Sequence, residues 1–260
     1  MRVDPETVWP TLEGARQALE EGDGANVKVA IIDSGIESSH PLLSGMNLAD
    51  DVVISCDGMN INFEEGSGND AYGHGTAVAG VLLDEVPAIT VGSFRALDTQ
   101  NRSRSFVIAE AVHLAISRGY QVINCSFGCR GQPKYVMDYK EWVDLAYLNG
   151  VQIVAACSNL ESGIREWPAY FPSVFGVRAI DCPSEEIYHT PNQMISFMAQ
   201  GERVKVPWLG GSTKIETGSS FAAPRISGKI AKLLSVYPNL DPGLIKPLLA
   251  NLAKVYQPRE

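Results

Sequence analysis

The stretch Val27–Asp33 reads VKVAIID and indicates the class of fold. It is a nearly continuous apolar run that ends at Asp-Ser-Gly, which is typical of a strand buried on both faces of a parallel sheet. Similar apolar runs recur along the chain and predict further strands: AITVGSFRAL from Ala88, QVINCSF from Gln121 to Phe127, VQIVAAC from Val151 to Cys157, and SVFGVRAI from Ser173.

Helical patterns separate these runs. SFVIAEAVHLAISRG has helical spacing, with Ser105 as the predicted N-cap and Gly119 as the predicted C-cap. YKEWVDLAYLNG predicts another helix, and Asp241-Pro242 predicts the start of a C-terminal one. Strands that alternate with helices predict an α/β fold with three layers, a mostly parallel central sheet with helices on both faces. No repeat or linker divides the chain, so we predict one domain over residues 1–260, with 1–24 as a helical extension packed on it.

The composition restricts the classes of function. The chain has 260 residues, 45% of them hydrophobic, and a formal net charge of −9, which argues against a nucleic-acid-binding face. No apolar run is long enough to predict a membrane span, and the N-terminal residues do not resemble a signal peptide. The five cysteines lack metal-ligand spacing, and we expect reduced thiols and a cytoplasmic protein: Cys56, Cys125, Cys129, Cys157 and Cys182.

Polar residues follow several of the predicted strands, where the functional groups of parallel sheets gather. Asp33 ends the first strand, and Ser158-Asn159 follow VQIVAAC. His74 lies in YGHGTAVAG, between two glycines, and two serines lie in GSSFAAPRISG, residues 218–228. Each has an ordinary structural interpretation, as a turn-capping aspartate, a glycine-flanked helix start or an N-cap serine. The order Asp, His, Ser is also one of the chain orders of a nucleophilic serine triad.

Four motifs together resemble the subtilisin-like serine peptidases, the subtilase family. IIDSGIESSHP resembles the aspartate motif of that family, GHGTAVAG the histidine motif and GSSFAAP the serine motif, while AACSNLES resembles the segment that carries its oxyanion asparagine. Weaker similarity extends from VINCSFG through YFPSVFGVRAID. The resemblance implies a serine endopeptidase that acts through an acyl-enzyme.

The resemblance also implies a role for each motif residue. Ser220 matches the nucleophile, and Ser219 stands where the family usually has threonine. His74 would accept the proton of Ser220 and deliver it to the leaving amine, and Asp33 would orient the imidazole. Asn159 would donate to the tetrahedral oxyanion beside the backbone N–H of Ser220.

A specificity pocket follows from the same resemblance. Its two walls would be the segment after Asn159 and three substrate-binding residues, Ser126, Phe127 and Gly128. Glu166 would lie at the floor of this pocket and Glu161 near its rim. Because a carboxylate at the floor would pair with a basic side chain, we predict Lys or Arg at P1, the substrate residue whose carbonyl is attacked. In the alternative interpretation, Glu166 points outward or pairs with Arg165.

Two departures from the family pattern bear on cofactors. GVLLDEVPAIT continues from the histidine motif without an Asn/Asp-rich insertion, and Leu42 stands where the family usually has an aspartate after His-Pro. We therefore expect no cofactor or metal and no strong family calcium site, although a weaker calcium site elsewhere is compatible with the sequence.

The aspartate motif is reached by residue 33, so we expect no pro-segment before it. Together with the reduced cysteines, this resembles an intracellular processing peptidase whose partner is a peptide or protein substrate, such as a precursor peptide, with no nucleic-acid or membrane partner. The sequence leaves the oligomeric state open. It also leaves two alternatives, a catalytically weak binding or regulatory protein on the same fold, and an acyl transferase (transpeptidase) or esterase with the same triad.

Overall fold

The structure is a computed structural model, and it describes residues 9–159 and 165–257. The α-helices in these residues are α1 (Leu12–Glu21), α2 (His74–Glu85), α3 (Ser105–Ser117), α4 (Val136–Leu148), α5 (Ser219–Val236) and α6 (Pro242–Leu252). The first seven strands are β1 (Lys28–Asp33), β2 (Asn47–Asp57), β3 (Asn60–Glu65), β4 (Thr90–Arg95), β5 (Val122–Cys125), β6 (Cys129–Arg130) and β7 (Gln152–Ala156). The remaining strands are β8 (Glu166–Trp167), β9 (Phe175–Ile180), β10 (Ile187–His189), β11 (Phe197–Gln200), β12 (Val204–Trp208), β13 (Ser212–Glu216) and β14 (Lys254–Val255).

Ten of the described strands form the central sheet, in the order β3-β2-β4-β1-β5-β7-β9-β11-β10-β14. Every pairing from β2 to β11 is parallel, while β3 and β10 run antiparallel to their neighbours β2 and β11. Two small hairpins lie outside this sheet, β12 with β13 and β6 with β8. The carboxyl ends of β1, β5 and β7 therefore meet at one edge of the sheet.

Helices cover both faces of the sheet because the buried strands are apolar on both sides. In β1, Val29 and Ile31 pack into the core cluster that includes residues of α1, α2, α5 and α6. Ala30 and Ile32 point the other way, into the cluster that includes residues of α3 and α4. The three-layer α/β fold and its mostly parallel sheet are confirmed.

The structure places each cap of α3 one residue before the predicted position. Ser105 is the first helical residue rather than the N-cap, which is Arg104, and the Ser105 hydroxyl donates to Asp138 at 3.1 Å. Arg118 is the C-cap, and Gly119 follows it with φ of +75°, a conformation that glycine adopts without strain. Among the described helices, none has the length and apolar character that a membrane span requires.

Candidate active site

The carboxylate of Asp33 and the imidazole of His74 form a buried pair at the sheet edge. Asp33 is the last residue of β1, and His74 is the first residue of α2. His74 Nδ1 lies 2.8 Å from Asp33 Oδ1 and 2.9 Å from Oδ2, and the backbone N–H of Ser34 donates to Oδ1 at 2.8 Å. A proton on Nδ1 satisfies the carboxylate, so Nε2 is left as the nitrogen that can accept a proton.

Asp70 holds the beginning of the histidine helix, a role that the sequence analysis missed. Its Oδ1 accepts the N–H groups of Tyr72 at 2.9 Å and Gly73 at 2.7 Å, and it also accepts the Ser34 hydroxyl at 2.7 Å. Its Oδ2 accepts both the N–H and the hydroxyl of Thr76, at 2.8 and 2.6 Å. An acidic residue a few positions before a glycine-flanked helix start was the available signal, because such residues satisfy the free N–H groups of a first turn.

The surroundings of His74 raise its pKa above the ordinary histidine value. Burial opposes protonation, but the adjacent Asp33 carboxylate favours the imidazolium through charge and hydrogen bonding. The carboxylates of Asp70 and Glu216 add smaller contributions in the same direction. The net effect of these groups is to stabilise a positive charge on the ring.

The two adjacent serines of GSSFAAP have different environments at the start of α5. Ser219 is buried, and its hydroxyl donates to the carbonyl of Cys157 at 2.6 Å. Ser220 is partly exposed, and its hydroxyl donates to the carbonyl of Ser126 at 3.1 Å. Among the described hydrogen bonds of Ser220, none reaches His74. Ser219 therefore joins α5 to the end of β7, while the Ser220 hydroxyl lies at the surface of the same edge.

Asn159 lies against the N-terminus of α5. Its Oδ1 accepts the N–H of Ser219 at 2.8 Å, and a Cβ on Gly218 would lie 3.3 Å from its Nδ2. Because the oxygen of the amide is held by Ser219, its NH₂ group remains a donor at the helix end. The N–H of Ser220 belongs to the first turn of α5 and has no acceptor within the helix. Two N–H donors thus lie at the N-terminus of α5, the helix turn that carries Ser220, an arrangement suited to a developing oxyanion.

A buried polar chain fixes the first turn of α5 against the sheet, and it too was missed. The Ser227 hydroxyl donates to Asn124 Oδ1 at 3.0 Å, and Asn124 Nδ2 donates to the Ser126 hydroxyl at 2.9 Å. The Ser126 hydroxyl in turn donates to the carbonyl of Ser220 at 2.9 Å. The signal was Asn124, a polar residue inside the apolar run VINC, because buried amides are retained where their hydrogen bonds are satisfied.

The predicted specificity residues lie together where they are described. Ser126 is buried, Phe127 is partly buried and Gly128 is exposed. The short strand that follows them, β6, pairs with β8, and a Cβ on Gly128 would lie 2.7 Å from Glu166 Oε2. The Glu166 carboxylate therefore lies against this wall, whereas the guanidinium of Arg165 lies 6.0 Å from the ring centroid of Tyr170. Glu161 lies outside the described residues.

The described residues contain neither a metal-binding cluster nor a disulfide. Within residues 9–159 and 165–257, no group of three or more His, Cys, Asp or Glu side chains is arranged to hold a metal ion. None of the five cysteines, all of which are described, forms a disulfide. Burial raises the pKa of the Cys157 thiol, which lies next to the site, so this thiol favours its neutral form.

Comparison with known proteins gives consistent results. The family model described as the subtilase family, Peptidase S8, matches residues 24–259. The chain is 28% identical to subtilisin DY of Bacillus licheniformis over 258 residues, covering 94% of this chain and 89% of that protein. It is 29% identical to the major intracellular serine protease of Bacillus subtilis (strain 168), covering 82% of this chain and 69% of that protein.

The chain spans 61% of the length of several other subtilisins that it matches. Among solved structures, the S41 psychrophilic protease superposes with a TM-score of 0.74 at 22% identity, covering 92% of this chain and 88% of that one. This likeness concerns the fold.

Proposed function

The chain belongs to the subtilase family, a family of serine endopeptidases, and we propose that it hydrolyses peptide bonds through an acyl-enzyme on Ser220. One observation carries the proposal. The Asp33–His74 pair and the donor-rich N-terminus of α5, with Ser220 and Asn159, lie at the same edge of the sheet. A nucleophile, a base with its orienting carboxylate, and oxyanion donors are the groups that acyl transfer requires.

The first half of the reaction forms the acyl-enzyme. Ser220 Oγ attacks the substrate carbonyl while its proton passes to His74 Nε2. The resulting oxyanion accepts hydrogen bonds from Asn159 Nδ2 and from the N–H of Ser220. Asp33 stabilises the imidazolium, which then protonates the leaving amine as the carbon–nitrogen bond breaks. Water then attacks the carbonyl carbon of the ester while its proton passes to His74 Nε2. His74 gives this proton to Ser220 Oγ as the ester bond breaks, and the product leaves with a new C-terminal carboxyl group.

The hydroxyl of Ser220 must change partner before this reaction. It donates to the carbonyl of Ser126 in the structure, and it has to leave that acceptor to donate to His74. Rotation of the Ser220 side chain makes this exchange, and catalytic hydrogen bonds often shorten only when substrate is bound. The Ser126 hydroxyl holds the backbone of Ser220 meanwhile, so the attacking residue keeps its place.

Digestion of a denatured proteome tests the proposal. Incubation in ¹⁸O-water followed by mass spectrometry should reveal new peptide termini whose carboxyl groups carry ¹⁸O, because water completes the reaction. Ser220→Ala should release none of these peptides. Products joined to an added amine instead of ¹⁸O would indicate acyl transfer, and wild-type protein without any product would favour the binding or regulatory alternative.

We propose in addition that Glu166 favours Lys or Arg at P1. Its carboxylate lies against Gly128, beside the wall formed by Ser126 and Phe127, and a basic side chain that enters there would reach it. Peptides that differ only in Arg or Leu at P1 should differ about 10-fold or more in kcat/KM. Glu166→Gln should remove most of this difference, and Asp144→Asn, an exposed site on α4, should preserve it. Equal cleavage of the two peptides would contradict the preference.

We propose further that the protein processes a precursor peptide inside the cell. This processing role is supported by the five cysteines, which are in the reduced form, and by the similarity to the major intracellular serine protease. Cells that contain wild-type protein should accumulate a small set of new peptide termini, which cells with Ser220→Ala should lack. Broad, unselective cleavage would argue against processing of a precursor peptide.

We also propose that activity needs no cofactor, because the ligand-bearing insertion of the family does not follow Gly80. Treatment with EDTA should then leave both the rate of peptide hydrolysis and the Tm unchanged. A loss of either that calcium restores would establish a metal site.

A further inference from the structure

A cavity of about 690 Å³ lies beside the proposed catalytic histidine and carries three arginines. We call it the arginine cavity and define it by Arg95, Arg102 and Arg104. It opens at the carboxyl ends of β2 and β4, next to the loop that leads into α3. Ala71, three residues before His74, forms part of its wall, so it adjoins the site without belonging to the triad.

The arginine cavity is positive in a chain whose formal net charge is −9. The only carboxylate in its lining, among the residues described, is Asp98. Asp98 Oδ1 accepts the backbone N–H groups of Gln100 at 2.8 Å and of Arg102 at 3.1 Å, so this carboxylate stabilises a turn of the loop. None of the three arginines forms an ion pair with another described residue. Their charge is therefore available to something that enters the cavity.

Arg95 is the most constrained of the three arginines. It is the last residue of β4, paired in register with Asp33, and it is partly buried. A Cβ on Gly35 would lie 3.0 Å from its Cδ, so its stem packs over the turn that follows Asp33. In the described part of the chain, its guanidinium has no hydrogen-bond or ion-pair partner. None of its nitrogens is among the buried polar atoms without a partner, so its donors are open to solvent and to a carboxylate that displaces water from them.

Arg104 and Arg102 form the rim. Arg104 Nη1 donates to the carbonyl of Gly58 at 2.8 Å, which joins the loop to the turn between β2 and β3. Arg102 Nη1 lies 3.5 Å from Gln100 Oε1, a weak contact with a neutral group. Both guanidinium groups keep donors for an anionic group.

The loop that carries these arginines also lies close to the wall of the P1 pocket. A neighbouring cavity of about 510 Å³ shares Leu97, Arg102 and Arg104 with the arginine cavity and reaches Phe127 and Gly128. If a peptide binds with its P1 side chain beside Gly128 and its preceding residues along this loop, the side chains of those residues enter the arginine cavity. Those residues are the ones that can reach the arginines.

We propose that the arginine cavity binds an acidic side chain of the substrate, at one of the three positions before P1. Arg95 is the main specificity residue, because a guanidinium can hold a carboxylate through two parallel hydrogen bonds. This inference rests on the proposed peptidase function and narrows its substrate class to peptides with Asp or Glu shortly before the cleaved bond.

Matched peptides that carry Glu or Gln at each of the three positions test the inference. At one position, wild-type protein should cleave the Glu peptide about 10-fold faster, measured as kcat/KM. Arg95→Gln should reduce this ratio to about 2 or less, and Arg95→Glu should favour the peptide with Lys at that position. Arg16→Gln, at an exposed site on α1, should keep the wild-type ratio.

The labelling rate of Ser220 with a fluorophosphonate probe shows whether each variant is folded and active. If the Arg95 variants do not fold, the salt dependence of wild-type protein provides the test. Its ratio of kcat/KM for the Glu and Gln peptides should fall as NaCl is raised from about 0.05 M to about 0.5 M, because salt screens the charge of the arginines. Cleavage without a Glu preference at any of the three positions would overturn the inference and leave the peptidase function intact. Absence of both cleavage and labelling would remove the peptidase function, and this inference with it.

Discussion

The N-termini of α2 and α5 both lie at the proposed active site, and they are capped by groups of different charge. Both helices have glycine at the N-cap, Gly73 and Gly218, so neither N-cap residue supplies a side-chain acceptor. At α2, the carboxylate of Asp70 accepts the free N–H groups of the first turn. At α5, the neutral amide of Asn159 accepts one N–H group and adds its own NH₂.

This difference matches the charge that each helix end would meet during catalysis. In the proposed reaction His74, on α2, would become a cation, and the negative Asp70 near it favours that state. The oxygen beside Ser220, on α5, would become an anion, and a carboxylate cap there would repel it. The two helix ends share a glycine at the N-cap and differ in the charge of the residue that caps them from outside.

The largest expected effect follows from removal of the nucleophile at the α5 end. Ser220→Ala should lower kcat by about 10⁶-fold, because the hydroxyl that forms the acyl-enzyme is lost. The Tm should change little, since the Ser220 hydroxyl is partly exposed and donates to a single carbonyl. Peptide hydrolysis and thermal unfolding measure the two quantities. A variant that retains a tenth of wild-type activity would show that another residue is the nucleophile.

A negatively charged cap at α5 should lower the activity without lowering the stability. Asn159→Asp should lower kcat by more than the roughly 10²–10³-fold expected for loss of one oxyanion donor. The free energy of unfolding should stay the same or rise at pH 7, because a carboxylate at a helix N-terminus is stabilising. Asn159→Ala provides the comparison, since it removes the donor without adding charge. If Asn159→Asp is the more active of the two, the charge of the α5 cap has no catalytic role.

A neutral cap at α2 should lower the activity by changing the pKa of His74. Asp70→Asn should lower kcat/KM by about 10-fold and lower the pKa of His74, because one of the carboxylates that raise it is removed. His74 must be neutral to accept a proton, so activity rises with pH through its pKa, and the acidic limb should move to lower pH in the variant. The pH profile of kcat/KM measures this shift. Asp144→Asn serves as the control, and an unchanged limb in Asp70→Asn would contradict the role of Asp70.

The sequence pointed to the proposed reactive residues more directly than to the residues that hold them in place. Asp33, His74, Asn159 and Ser220 follow predicted strands or open helical patterns, so local patterns and the family resemblance were enough to select them. Asp70 was missed because its five hydrogen bonds depend on how the loop folds back over α2. Spacing along the chain does not specify such a fold.

Five adjacent strands of the central sheet were also predictable, β4, β1, β5, β7 and β9, whereas its other described strands were not. The strands of the parallel centre are buried on both faces and appear as apolar runs. β2 and β3 alternate in exposure or lie at the sheet edge, and their sequences contain many polar residues. Arg95 lies at the end of a predicted strand, but only the packing of the loop before α3 reveals that it faces a cavity with Arg102 and Arg104.

The smallest expected effect concerns Ser219, which supports the α5 end from inside. Ser219→Thr keeps a hydroxyl and should leave kcat/KM within about 3-fold of wild type. Ser219→Ala leaves the Cys157 carbonyl without this donor and should cost about 1–3 kcal/mol in the free energy of unfolding, with a small effect on kcat. Urea unfolding and peptide hydrolysis separate the two effects. A loss of activity in Ser219→Thr comparable to that of Ser220→Ala would mean that the two serines had been assigned in the wrong order.

The site of covalent labelling by a fluorophosphonate probe is the most direct test of the proposal that Ser220 is the nucleophile. Peptide mapping of the labelled protein at pH 8 should locate a single adduct on Ser220, and labelling should slow as the pH falls through the raised pKa of His74. The probe should form its bond with the hydroxyl that, by the proposal, the Asp33–His74 pair activates at the N-terminus of α5. No adduct on the folded protein at pH 8, or an adduct on Ser219, would contradict the account.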